Sequence, residues 1–182
     1  MAEWRKGMVI NYEGEYYIVL DFQHVMLGRG SAYIRAKLKN VKTGNVFEKN
    51  IRESDHFEEV KLFKKPGIFS YSEGNIYHFY DKETFEEINF EKEVLQDAIF
   101  YLKENVEVNI LYIEENPVGI ELPNFVELKV IETEPGVRGD TVSGGSKPAK
   151  LETGKVIQVP LFINVGDIVK VDTRTGKYIE RV

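Results

Sequence analysis

Apolar and polar residues alternate in short runs along most of this chain, and turn residues separate the runs. A period of two predicts strands, because successive side chains point to opposite faces of a sheet. Residues 8–12 and 15–20 flank Glu13-Gly14, a tight hairpin signal. Residues 32–41 and 46–51 flank Lys42-Thr43-Gly44-Asn45, a second hairpin, and residues 59–63 supply a strand to close a small barrel. Lys64-Lys65-Pro66-Gly67 marks a first boundary. Strands are then expected at 68–71, 76–80 and 85–89, followed by one helical pattern: Val94, Leu95, Ala98, Ile99 and Leu102 share a helix face. Strands at 106–113 and 118–122 complete a middle segment that reads equally as an OB-type barrel or an ordinary five-stranded α+β domain. Pro123-Asn124 marks a second boundary. The last third carries strands near 126–132, 156–161, 168–171 and 177–181, interrupted by an irregular loop over 134–148.

Charge divides the chain in the same places. Residues 1–63 carry ten Lys/Arg against nine Asp/Glu, residues 64–126 five against thirteen, and residues 127–182 nine against eight. The whole acidic excess, net −8 in the middle third, would repel nucleic acid, so RNA contacts are expected on the outer thirds. The chain has no cysteine, which excludes disulfides and thiolate metal sites. No apolar run reaches the ~18 residues of a membrane span, and the first residues lack the apolar core of a secretory signal. Cytoplasmic residence and no membrane partner are the expectation.

Residues 22–47 hold Arg29, Arg35, Lys37, Lys39 and Lys42 and no acidic residue. Alternation in Tyr33-Ile34-Arg35-Ala36-Lys37-Leu38-Lys39 places Arg35, Lys37 and Lys39 on one face, with Ile34, Ala36 and Leu38 on the other. Gly28-Arg29-Gly30 sits at the expected tip. By itself it is a turn with an exposed arginine. With the basic face behind it, it suits a phosphate contact, because a guanidinium offers five donors and a flat face for stacking. Gly28 and Gly30 keep the tip slim. Lys42 adds a further cation for RNA phosphates.

The loop sequence Arg138-Gly139-Asp140-Thr141-Val142-Ser143-Gly144-Gly145-Ser146-Lys147 does not meet the spacing of a phosphate-binding P-loop, and no helix pattern follows it. It offers two cations, backbone donors and hydroxyls to RNA. His24, His56 and His78 show no metal-ligand spacing, and no nucleophile elbow is present. No metal, no cofactor and no catalytic residue are therefore expected. A small β-rich enzyme and a free-standing OB-type single-stranded RNA-binding protein remain the alternatives from residues alone.

Several separated motifs resemble the bacterial elongation factor P family along the full length. They are Leu27-Gly28-Arg29-Gly30-Ser31-Ala32 with Arg35-Ala36-Lys37-Leu38-Lys39-Asn40, Glu134-Pro135-Gly136-Val137-Arg138-Gly139-Asp140-Thr141, Lys147-Pro148-Ala149, Gly154, Val159-Pro160-Leu161-Phe162, Gly166-Asp167, and Asp172-Thr173-Arg174-Thr175-Gly176-Lys177-Tyr178. The resemblance implies a mainly β protein of three small barrels in an L-shaped, tRNA-like array. These are an SH3-like (KOW-type) domain at 1–63, a central OB domain at 64–125 and a C-terminal OB domain at 126–182. It implies a monomer that is not an enzyme. Such a factor binds both subunits of the bacterial ribosome between the peptidyl-tRNA and exit-tRNA sites and relieves stalling at consecutive prolines. Arg29 occupies the family's tip position near the CCA end of peptidyl-tRNA. Lysine is frequent there and carries a lysine-derived modification, whereas some members have arginine, in one lineage rhamnosylated. Arginine excludes the lysine chemistry and makes an enzyme that modifies Arg29 a candidate partner. The resemblance places Gly139, Asp140 and Thr141 near the exit-site codon and small subunit. An elongation-factor-P-like paralogue, which also bears arginine at the tip, is the near alternative.

Overall fold

The structure is a computed structural model and describes residues 3–136 and 145–182. It is mainly β, with 60% strand against 6% helix. The first sheet comprises β1 (Val9–Tyr12), β2 (Glu15–Leu27), β3 (Ser31–Asn40), β4 (Val46–Arg52) and β5 (Phe57–Val60), in the order β4-β3-β2-β1-β5. The second comprises β6 (Leu62–Glu73), β7 (Ile76–Asp81), β8 (Glu87–Glu91), β9 (Glu107–Ile113) and β10 (Asn116–Glu121), in the order β10-β9-β6-β7-β8. The third comprises β11 (Phe125–Thr133), β12 (Ser146–Leu151), β13 (Val156–Pro160), β14 (Ile168–Asp172) and β15 (Lys177–Arg181), in the order β13-β12-β11-β14-β15. Two of the three sheets curl back nearly into closed barrels.

The chain divides into two compact units, one of Met1–Lys65 with Ile110–Ile120, the other of Pro66–Asn109 with Glu121–Val182. In the first unit, Ile10, Val19, Ala36 and Leu38 are fully buried and Trp4, Phe22 and Ile34 pack around them. Opposite faces of the same strands also find apolar cover there: Val9 joins Leu111, Ile113 and Val118. In the second unit, Phe79 packs against Phe69 and Phe90 with ring centroids 5.3 and 5.7 Å apart. A separate cluster gathers Leu128, Val130, Leu151, Val159, Ile163 and Val171 around Tyr101. Each such side chain taken out of water stabilises by about 1.5–3 kcal/mol.

Several elements differ from the sequence expectation. The strand expected at 15–20 runs on as β2 to Leu27, and that expected at 85–89 begins only at Glu87, because Phe85 at φ 61° belongs to the turn before β8. Lys64-Lys65-Pro66-Gly67 holds the break between the units at Lys65 and Pro66, yet it is strand and not a gap between strands: β6 runs through it, and the Pro66 carbonyl accepts from the Lys82 amide at 3.0 Å. The expected amphipathic helix is one α-turn, α1 (Lys92–Leu95), followed by a 3₁₀ turn at Gln96–Tyr101. Gln96 takes φ 49° and ψ −128°, which breaks the helical hydrogen-bond ladder, and the Phe100 carbonyl accepts from Thr153 Oγ1 at 2.6 Å instead. The loop expected over 134–148 ends earlier, since β12 begins at Ser146. Pro148 fits this strand: it pairs in register with Gln158, and its carbonyl accepts from Thr133 Oγ1 at 2.9 Å.

Candidate nucleic-acid interface

The longest hairpin in the first unit carries the basic residues. β2 and β3 pair from Tyr17 opposite Asn40 out to Leu27 opposite Ser31. β4 supports β3 only as far as Tyr33, which faces Arg52. Past that point, among the described residues, the hairpin is two strands with no third. From the Val25–Tyr33 pair to the Leu27–Ser31 pair this part rises about 7 Å at ~3.3 Å per residue. Gly28-Arg29-Gly30 is the three-residue connection. Hairpins of this length place their last turn residue at positive φ, where glycine is favoured, and Gly30 has φ 99°. A Cβ added to Gly28 or Gly30 would meet nothing within 4 Å. Arg29 is thus exposed at the end of a narrow projection.

Two side chains at this tip carry no charge and were not singled out from sequence. Met26 is 84% exposed and Leu27 59% exposed. Large apolar residues at the end of a hairpin, away from any core, are the signal that would have marked them. The tip is a cation set among apolar surface.

Behind the tip, alternation holds as expected. Ala36 and Leu38 are fully buried, while Arg35, Lys37 and Lys39 are exposed on the outer face. A bulge at Leu20 keeps Val19 inward opposite Leu38 and turns Asp21 outward opposite Lys37. Residues directly opposite in a sheet share a face, so register decides what surrounds each cation. Arg35 lies between Gln23 and Asn50, and Lys39 between Ile18 and Val46. Lys37 lies between Asp21 and Glu48. The face is therefore mixed in sign at its middle, although residues 22–47 contain no acid, because both carboxylates sit just outside that window. Arg52, opposite Tyr33, joins the same face two pairs nearer the tip than Arg35. It was missed because only strand pairing brings it there.

Lys42 sits elsewhere. It occupies the β3–β4 turn, where Asn40 Oδ1 accepts from the amides of Lys42 and Thr43 at 2.9 and 3.0 Å. Asn40 Nδ2 in turn donates to Glu15 Oε2 at 2.7 Å. β3 separates this turn from the tip by ten residues, roughly 30 Å. Lys49 belongs to the core side: it lies 3.2 Å from Glu13 and 4.7 Å from the Tyr12 ring centroid. The Glu13 hydrogen bond pushes its ammonium above the ordinary lysine value.

Gly139, Asp140 and Thr141 lie outside the described residues. The chain on either side is firmly tied. Lys147 is only 4% exposed, and its Nζ donates to the Glu134 carbonyl. The Gly136 amide donates to Asn164 Oδ1 at 2.8 Å, and a Cβ at Gly136 would stand 3.0 Å from that same oxygen. In the closing hairpin of the third sheet, Arg174 grips Asp172 with Nε and Nη2 at 3.1 and 3.0 Å.

Comparison with known proteins follows this layout. The family model described as the elongation factor P KOW-like domain matches residues 1–57, that of its OB domain residues 62–120, and that of its C-terminal region residues 126–181. Elongation factor P of Dictyoglomus turgidum is 55% identical over 175 residues, covering 96% of this chain and 95% of the relative. That of Caldanaerobacter subterraneus subsp. tengcongensis is 50% identical over 181 residues, covering 100% and 98%. Among solved structures, eukaryotic translation initiation factor 5A from Methanococcus jannaschii aligns with 66% of this chain and 87% of its own at 16% identity and TM-score 0.46, too slight a likeness to bear on function. With all three sheets matched and half or more of the residues shared with full-length relatives, the chain belongs to the elongation factor P family of translation elongation factors.

Proposed function

We propose that this factor docks on the bacterial ribosome between the peptidyl-tRNA and exit-tRNA sites, touching both subunits, and relieves stalling at consecutive prolines. In this reading the domains are 1–63, 64–125 and 126–182, and the chain acts as a cytoplasmic monomer. The observation that carries it is the placement of Arg29 on an exposed three-residue turn between Gly28 and Gly30, at the far end of a hairpin whose outer face bears Arg35, Lys37 and Lys39. Such a projection reaches into a crowded channel that a broader element would not enter.

Proline's ring nitrogen and fixed φ leave its peptidyl-tRNA in geometries poor for peptide bond formation. Arg29, bare or altered by a modifying enzyme, holds the CCA end, and the cations behind it grip phosphates. Gain comes from positioning the reactants, each ~1.4 kcal/mol being worth tenfold in rate. The factor supplies no acid, base, nucleophile, metal or cofactor, and the ribosome remains the enzyme. Lys42, set back at the base of β3, contacts phosphate at a separate point. Gly139, Asp140 and Thr141 approach the exit-site codon and small subunit. The test is Arg29→Ala on ribosomes translating a polyproline message: synthesis past the prolines should fall with little change in ribosome affinity. Unchanged rescue overturns the reading.

A further inference from the structure

The middle sheet carries an aromatic cleft that the proposed ribosomal role leaves unused. Its outer face holds two stacked pairs. The Tyr71 and His78 rings lie 4.3 Å apart and 11° from parallel, and those of Tyr80 and Phe85 lie 6.1 Å apart at 24°. His78 and Tyr80 are two residues apart on β7, so the stacks stand side by side at roughly 7 Å. A cleft of about 440 Å³ opens between them, with Glu87 on its rim.

Two backbone irregularities build this face. The β6–β7 register shifts between Phe69 and Tyr71, so that Phe69 points into the core against Phe79 while Tyr71 emerges opposite His78. An unbroken strand would have turned Tyr71 inward with Phe69, and bulges of this kind re-aim side chains. Phe85 has φ 61°, a strained conformation for a bulky residue, and is 74% exposed. Neither arrangement improves the core: Tyr71 is half exposed. Strain kept at an exposed ring points to use of that ring.

Charge selects the occupant. Glu87 Oε1 lies 2.7 Å from His78 Nδ1, and the Glu87 side chain is mostly exposed. Glu73, Glu83, Glu86 and Glu91 on these strands and turns are exposed as well. Residues 64–126 carry net −8, which repels a nucleic acid. A guanidinium stacks on aromatic faces and pairs with carboxylate in one plane, whereas an ammonium matches this geometry poorly. We propose that this cleft receives an arginine side chain from a basic segment of a partner protein, stacked against Tyr71 and Phe85 and paired with Glu87.

The test titrates the full chain with an arginine–glycine peptide, a lysine–glycine peptide of equal charge and single-stranded oligouridine, reading aromatic resonances by NMR. The arginine peptide should shift the Tyr71, His78 and Phe85 signals and bind roughly tenfold tighter than the lysine peptide. Tyr71→Ala and Phe85→Gly should each cut arginine-peptide affinity by about the same factor. Phe85→Gly relieves the left-handed backbone, so its melting temperature should not fall, which separates a binding role from a structural one. Equal binding of the two peptides, indifferent to both variants, would mean diffuse attraction to acid and overturn the proposal. Oligouridine shifting these rings would make the cleft an RNA stack instead, and silence of the rings with every probe would also refute it.

Discussion

Lys37 lies directly across the β2–β3 pair from Asp21, and across β3–β4 from Glu48. Two carboxylates thus flank the central cation of the hairpin's outer face, while its neighbours Arg35 and Lys39 face uncharged residues. A phosphate brought to Lys37 also meets these acids, of which Asp21 already lies 3.5 Å from Lys6 Nζ and Glu48 does not share that partner. Arg35→Ala should therefore reduce the salt dependence of ribosome binding by about one counterion, and Lys37→Ala by clearly less. Arg52→Ala should resemble Arg35→Ala, since Arg52 shares that face nearer the tip. Binding measured across a salt series checks the order. Equal slopes for Lys37→Ala and Arg35→Ala would mean that register has no influence on the contact.

The two tip glycines separate conformation from bulk. Gly30 sits at φ 99°, whereas Gly28 has no positive φ, and neither has a neighbour within reach of an added Cβ. Gly30→Ala should cost about 1–2 kcal/mol in the turn, seen as faster amide exchange from Leu27 to Ser31. Gly28→Ala should leave exchange unchanged. If Gly28→Ala nonetheless slows synthesis through a proline run, slimness itself matters at the tip. Matching exchange rates in the two variants would contradict the turn geometry.

Much of this was legible from alternation alone: the burial of Ala36 and Leu38, the outward Arg35 and Lys39, and the Gly28-Arg29-Gly30 turn all follow from local pattern. What escaped depends on partners distant in sequence. Asp21 and Glu48 enter the basic face only through strand pairing, and so does Arg52. The strand at β12 was hidden because two lysines and a proline stand in it. Lys147 looked like a loop cation, yet it is buried and donates to the Glu134 carbonyl. Periodicity at Val94, Leu95, Ala98 and Ile99 marked apolar positions correctly but not the backbone that carries them, because Gln96 breaks the helix after one turn. Gly139, Asp140 and Thr141 rest on family resemblance alone.

Acid sensitivity should be concentrated in the closing hairpin of the third sheet. Asp172 Oδ1 accepts from the Arg174 amide at 2.8 Å and from Nε at 3.1 Å, and Oδ2 accepts from Nη2 at 3.0 Å. The Arg174 side chain holds the Asp172 carboxyl below its ordinary value, opposed by partial desolvation. A carboxylate lowered on folding contributes stability that is fully present above its unfolded pKa, about 3.9, and that disappears as pH falls through the folded value. Asp172→Asn should therefore melt at lower temperature than the parent at neutral pH. Below about pH 4 the two melting curves should converge as the parent's carboxylate takes up its proton. A gap between them that stays constant from neutral pH down into that range would show that Asp172 acts through its turn hydrogen bonds and not through its charge.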